Sequence, residues 1–214
     1  MYLSWNKKII TDFSDKNINS LYNEGYVFTR IEKGAMNQTR SVRINLDNFE
    51  LSSENKRILR KTEKLKLNII DLPYPNYTWE IGKFGKDFYE TKFGAGVFTA
   101  NKIKEILTDK EKSNFNTLFT YKEENTIGYA ICYSNKDILH YSYPFYDLSS
   151  PISNLGIGMM TKAIIWAKEN NKKYIYLGSA TSPKAKYKLQ FKGLEWFDGE
   201  NWKEDLEELK NILK

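Results

Sequence analysis

The chain holds a single cysteine and a single histidine among its 214 residues. A disulfide framework needs paired cysteines, a zinc site usually needs three or four Cys/His ligands, and Ser-His-Asp or Cys-His catalysis needs a well-placed imidazole. Cys132 and His140 are the only candidates. They fall on the two arms of an expected hairpin, Thr126 to Ser134 and Ile138 to Phe145, turning at Asn135-Lys136. Pairing Tyr133 with Ile138 puts the two side chains on opposite faces of the sheet, where they do not meet. The chain is therefore expected to work without a thiolate, an imidazole dyad or a Cys/His metal site. It also lacks any run approaching the ~20 apolar residues that span a bilayer. Its start, Met1-Tyr2-Leu3-Ser4-Trp5 followed by charge, reads as neither a signal nor a transit peptide, so a cytoplasmic protein with no membrane contact is expected.

What is present is enough for a core: 41% hydrophobic and 15% aromatic residues, against 28% charged. The net charge of +6 is uneven, because residues 1 to 70 carry 13 Lys/Arg against 8 Asp/Glu and the rest is nearly balanced. A localised positive field is an argument for a polyanionic partner. The sharpest break in the chain is Leu72-Pro73-Tyr74-Pro75-Asn76, since two prolines exclude helix and deny ladder donors. It divides the sequence into a basic N-terminal part, 1–72, and a larger part, 73–214.

In the first part we read a short strand from Lys8 to Phe13, then a helix capped by Ser14 and ended by Gly25. Strands follow at Tyr26 to Ile31 and Thr39 to Leu46, and a helix from about Ser52 to Leu65. On that helix Lys56, Arg60 and Lys64 recur every fourth residue with Arg57 and Lys61 beside them. Like charges at this spacing cost stability unless something neutralises them, so the face reads either as solvated surface or as a row of phosphate contacts. The second part reads as helices within Thr78 to Phe93 and Thr99 to Leu107, strands at Asn116 to Tyr121, Thr126 to Ser134 and Ile138 to Phe145, and a helix from Gly158 to Asn170. A strand from Lys173 to Leu177, a helix from Ser182 to Phe191, a hairpin at Asp198-Gly199 and a helix from Lys203 to Leu213 complete it. Antiparallel strands leading into a strand-helix-strand unit imply an α/β (α+β) fold with a mixed, largely antiparallel sheet flanked by helices. This organisation resembles the GNAT acyltransferases.

Two stretches carry candidate chemistry. Ser153-Asn154-Leu155-Gly156-Ile157-Gly158 enters a helix, where glycines and the helix terminus suit an anion or a carbonyl oxygen. Coenzyme A acetyltransferases use a similar loop, but Ser153 stands where they usually have Gln or Arg. The second stretch runs from Tyr176-Leu177-Gly178 through Ser182-Pro183-Lys184-Ala185-Lys186-Tyr187-Lys188-Leu189-Gln190-Phe191 to Leu194-Glu195. It resembles the C-terminal signature of the arginyl- and leucyl-tRNA-protein transferases, with Ser182, Lys184, Tyr187, Lys188, Phe191, Leu194 and Glu195 in register. Phe145-Tyr146-Asp147, Asn154-Leu155-Gly156, Arg40-Ser41-Val42-Arg43-Ile44 and Phe49 to Arg57 extend the resemblance upstream in the same order. The family's cysteine set before the Val-Arg stretch, implicated in holding an iron-sulfur cluster, is replaced here by Met36-Asn37-Gln38-Thr39. No such cluster, and no other cofactor or metal, is expected.

The resemblance implies transfer of an aminoacyl group from its tRNA ester to an amine, commonly a protein or peptide N-terminus; a monomer is expected. Such aminolysis suits a chain without His or Cys catalysts, because the ester is already activated and an α-amino group has a pKa near ~8. Under that reading Tyr187 and Lys188 line the reaction centre, with Lys188 or Arg43 holding an acidic group of the acceptor. Asp147 and Glu195 orient a cationic amine or form salt bridges, and Tyr143 and Tyr146 stack on the terminal adenosine. Leu155, Gly156 and Gly158 receive the donor's 3' end or the oxyanion, with Ser182 close by. Lys56, Arg57, Arg60, Lys61 and Lys64 grip tRNA phosphates. The alternatives are an acetyl-CoA-dependent GNAT N-acetyltransferase, a catalytically silent RNA-binding relative, and transfer to a small biosynthetic amine.

Overall fold

A computed structural model describes residues 3–214. The chain runs β1 (Asn6–Ile9), α1 (Asp15–Asn23), β2 (Tyr26–Phe28), β3 (Ala35–Gln38), β4 (Ser41–Asn45), α2 (Ser53–Lys61), β5 (Lys66–Asp71), α3 (Trp79–Phe93) and α4 (Ala100–Thr108). It continues with β6 (Thr117–Lys122), β7 (Thr126–Ser134), β8 (Ile138–Tyr146), α5 (Leu155–Glu169) and β9 (Tyr174–Ser179). A 3-10 helix (Pro183–Gln190), β10 (Leu194–Phe197), β11 (Trp202–Lys203) and α6 (Leu206–Ile212) close the chain. The caps follow local chemistry: the Ser14 hydroxyl accepts from the Asn17 amide, and Ser52 and Asn55 form a reciprocal capping box on α2. Gly25 takes the left-handed conformation (φ 81°) that ends α1.

The strands form an eight-stranded sheet in the order β11-β10-β4-β9-β8-β7-β6-β5, and β1-β3-β2 make a smaller one. The fold is α/β, with all pairs of the large sheet antiparallel except β8 with β9. Strands β4 and β5 come from before the proline stretch and β6 to β11 from after it, so Leu72-Pro73 joins segments that share one sheet. One core gathers Phe119, Cys132, Leu139, Ile175 and Leu177 from one face of the sheet against Met159, Ala163 and Ile164 of α5. The other gathers Ile131, Tyr133, Phe145 and Tyr176 against Ile18 and Tyr22 of α1, Phe88 of α3 and Ile103 of α4. Alternate residues along β7 serve opposite cores, as the pleat requires, whereas along β8 the faces exchange between Tyr141 and Tyr143.

Tyr133 pairs with His140 rather than Ile138, a shift of two residues that keeps Cys132 and His140 on opposite faces. Cys132 is buried in the first core with its thiol pKa pushed up by burial. His140 is buried in the other, hydrogen-bonded through Nδ1 to the Tyr22 hydroxyl at 2.9 Å, with burial holding its pKa down to about 3. Both are structural groups. Among the described residues, no helix is long and apolar enough to cross a membrane.

Candidate active site

The parallel pairing of β8 with β9 covers only Ile138–Tyr174, Leu139–Ile175 and His140–Tyr176. Beyond His140 the two strands part, although β8 stays paired with β7 as far as Tyr146. Ser142 has no partner in that ladder: Ile131 faces Tyr143 and Cys132 faces Tyr141, so the strand bulges at Ser142. On the other side Gly178 adopts a positive φ of 75° and re-aims the end of β9. The parting opens a cleft of about 840 Å3 in the middle of the sheet.

Five elements wall the cleft. Tyr141, Ser142, Tyr143 and Tyr146 come from β8, and Leu177 and Ser179 from β9. The C-terminal half of α3 supplies Phe88, Tyr89, Lys92 and Phe93. The first turn of α5 supplies Leu155, Gly156 and Ile157, and the 3-10 helix supplies Lys184, Ala185, Tyr187 and Lys188, preceded by Ser182. The helix α5 begins a turn earlier than its glycines suggest, because Asn154 takes a left-handed conformation (φ 63°) and turns the chain into it. No side chain caps that end, so the Leu155, Gly156 and Ile157 amides are available at the cleft with the partial positive charge of the helix terminus.

Lys188 is the most distinctive group. It is buried, its Nζ donates to the Ser179 carbonyl at 2.8 Å, and burial lowers its pKa to about 8. Tyr187 precedes it, half-exposed at the mouth with its ring 5.9 Å from the Lys188 ammonium. Tyr146 stacks obliquely on Phe88 at 4.8 Å and lies against Gly156, where an added Cβ would sit 2.7 Å from its hydroxyl. Gly156 is thus required by the close approach of an aromatic ring. Tyr143 lines the cleft with its ring against Phe98 and Phe115 and with Arg30 alongside. Asp147 also lines the cleft, but its carboxylate accepts from the Ser149 amide at 2.8 Å and hydroxyl at 2.6 Å, fixing the turn that follows β8.

Three expected site residues lie elsewhere. Arg43 and Glu195 face each other on β4 and β10 and form a buried ion pair, Nε to Oε2 2.6 Å. The Arg43 guanidinium is sandwiched between the rings of Tyr174 and Trp202, each 3.9 Å away, and donates to Asn23 and Tyr176. Its charge and planar faces are engaged within the protein, as is the Glu195 carboxylate, and neither residue lines the cleft. Gly158 lies inside α5, where an added Cβ would meet Thr62 Cγ2 at 2.4 Å. Its small size lets the C-terminal end of α2 pack on α5, and it does not line the cleft.

Helix α2 ends at Lys61 rather than near Leu65, so Lys56, Arg57, Arg60 and Lys61 lie on it and Lys64 lies in the turn beyond; all five are exposed. Arg57 is engaged by Glu54 at 2.5 Å, while the other four make no ion pair among the described residues. Through Thr62 and Gly158 the end of this helix abuts the first turns of α5, whose start borders the cleft. The sequence pattern did not single out the α3 wall, Lys92 included. The spacing of Phe88, Tyr89, Lys92 and Phe93 puts all four on adjoining faces of one helix, and this was the available signal. Among the described residues no three His, Cys, Asp or Glu side chains gather as a metal site requires.

Comparison with known proteins bears directly on this cleft. Residues 84–198, more than half of the chain and most of the cleft wall, match the family described as arginine-tRNA-protein transferase, C terminus. The chain belongs to this aminoacyltransferase family. An aspartate/glutamate leucyltransferase of Saccharophagus degradans is 24% identical over 75% of this chain and 69% of its own length. A second, of Ruegeria pomeroyi, is 27% identical over 76% of this chain and 60% of its own length. Among solved structures, L-PGS from Bacillus licheniformis has a TM-score of 0.49 and 14% identity, covering 78% of this chain and 52% of that one. The family member described here therefore spans about two thirds of the length of those leucyltransferases.

Proposed function

We propose that this family member takes an apolar amino acid from its tRNA ester and transfers it to an amine, with the N-terminus of a protein or peptide as acceptor. The observation that carries the reading is the coincidence of the family match with a cleft that holds a buried lysine at the parting of two strands. Leu155, Met160, Leu177 and Ala185 give one side of the cleft an apolar lining without charge, which supports a donor side chain of leucine type. The names of the related leucyltransferases support the same choice.

The chemistry needs alignment and charge stabilisation more than a side-chain nucleophile. The neutral acceptor amine attacks the ester carbonyl, the carbon–oxygen bond to the ribose breaks, and the 3'-oxygen leaves as a hydroxyl while the amine loses a proton to solvent. The Lys188 ammonium spends one N–H on the Ser179 carbonyl and has two others for the developing oxyanion. The uncapped amides at the start of α5 supply further positive potential. Tyr146 and Tyr187 offer ring faces to the terminal adenosine. No cofactor enters this scheme.

The test is incubation with a pool of charged tRNAs and peptides differing in their first residue, followed by mass spectrometry. Addition of one leucine-sized residue to a peptide N-terminus is the expected product, and absence of any aminoacylated product from every donor would remove the reading. The α2 face is assigned to tRNA phosphates. Reversal of Arg60, Lys61 and Lys64 to Glu should weaken tRNA binding at least tenfold and flatten its salt dependence. Unchanged binding in a filter or anisotropy assay would return that face to plain solvated surface. One observation favours a second reading: uncapped amides at the entry to α5 also suit a pyrophosphate. Acetyl-CoA at 100 times its dissociation constant would then raise stability by about 2.7 kcal/mol in a thermal-shift titration.

A further inference from the structure

The geometry points to the rim formed by Lys92, Phe93 and Lys184 as the seat of the single-stranded 3' end of the donor RNA, an assignment that rests on the transferase reading. Phe93 is 55% exposed, Tyr187 43% and Leu148 41%, and these three exposed apolar side chains are grouped at the mouth of the same cleft. Phe93 ends α3, and the Gly94-Ala95-Gly96 segment beyond it has both glycines at positive φ with open space around them. The Phe93 ring tilts against Tyr89 at 5.6 Å between centroids and is otherwise left open at the mouth.

The rim also carries positive charge. On α3, Lys83 pairs with Asp87 and Lys86 with Glu90, each one turn on. Lys92 meets Gly96 at that spacing, and among the described residues it has no acidic partner. Lys184, across the cleft on the 3-10 helix, likewise makes no ion pair among them. The one acid in the lining, Asp147, is bound to the Ser149 turn. Two uncompensated cations beside open aromatic faces are the composition that binds a single-stranded polyanion, by stacking bases and neutralising phosphates. A polypeptide acceptor supplies neither a regular run of charge nor planar bases. The α2 face, joined to the cleft through α5, would then hold the duplex part of the same RNA, so that one footprint runs from helix to rim.

Transfer from two donors tests the assignment: a charged tRNA, and the same amino acid esterified to adenosine alone, which has no phosphate. The Lys92→Glu, Lys184→Glu double variant should lose about tenfold or more in kcat/KM with tRNA, and the salt slope should shrink by about 1.4 for two single-strand contacts. Phe93→Ala should lose about tenfold with tRNA, as expected for one stacked base. Both variants should lose at least fivefold less with aminoacyl-adenosine than with tRNA. Equal loss with both donors, or no loss with tRNA, overturns the proposal. A rise confined to the KM of the peptide acceptor also overturns it and gives the rim to the polypeptide. A wild-type protein that transfers from neither donor removes the transferase reading itself, an outcome distinct from failure of the rim.

Discussion

Replacement of Lys188 by methionine is expected to lower kcat/KM for aminoacyl transfer by about 100- to 1000-fold, the usual cost of deleting one oxyanion donor, without lowering the melting temperature at pH 7. The two halves of this expectation have one origin. Burial lowers the Lys188 pKa to about 8 from an ordinary value of 10.5. The unfolded chain therefore binds a proton more readily than the folded one between those two values, and stability rises with pH across that window. At pH 7 the folded protein carries the whole penalty of a charged amine out of water. Methionine fills similar space, removes the charge and forfeits only the bond to the Ser179 carbonyl. Steady-state transfer rates and a thermal melt check both halves, and a fully active variant would confine Lys188 to packing.

The same pKa gives the reaction a pH signature. The acceptor amine must be neutral, so the rate rises as pH approaches about 8, while the ammonium of Lys188 is lost above about 8. A bell-shaped profile with its maximum near that value is expected for the wild-type protein. In Lys188→Arg the falling limb should disappear, because guanidinium does not titrate in this range.

The second large effect is on stability. Glu195→Ala is expected to destabilise the fold by roughly 3 to 5 kcal/mol, because it strands a buried guanidinium without its counter-charge. Arg43 cannot turn outward to water, since Tyr174 and Trp202 hold both its faces and Asn23 and Tyr176 hold its Nη1. Removing both partners together, as in Arg43→Met with Glu195→Leu, should cost much less than the single change. Urea denaturation midpoints measure the difference. If Glu195→Ala kept the wild-type midpoint and lost transfer activity, the carboxylate would belong to the chemistry after all.

These two residues also mark how far the sequence could be read. Lys188 and Tyr187 sit in a local motif, and a run of ten residues carried them into one wall of the cleft. Glu195 belongs to the same motif by spacing, but its role depends on Arg43, which the sheet brings beside it from far along the chain. Strands β7 and β8, helix α5 and strand β9 were legible because each has its own periodicity and a turn or glycine at its end. Strands β3 and β5 were not. Ala35-Met36-Asn37-Gln38 has no β-branched residue, and Lys66 to Asp71 lies at the sheet edge with most of its side chains exposed, so it shows little burial pattern. Gly158 was misread for a related reason, since what a glycine must admit is decided by its neighbour in space, here Thr62.

An eight-stranded sheet is joined across its middle by only three residue pairs, Ile138–Tyr174 to His140–Tyr176. Strands β5 to β8 lie on one side of this seam and β4 and β9 to β11 on the other. Past the last pair, the edge of β8 away from β7 and the edge of β9 away from β4 have no rungs between them. The main-chain edges left unpaired beyond His140 and Tyr176 border the cleft instead of bonding to each other.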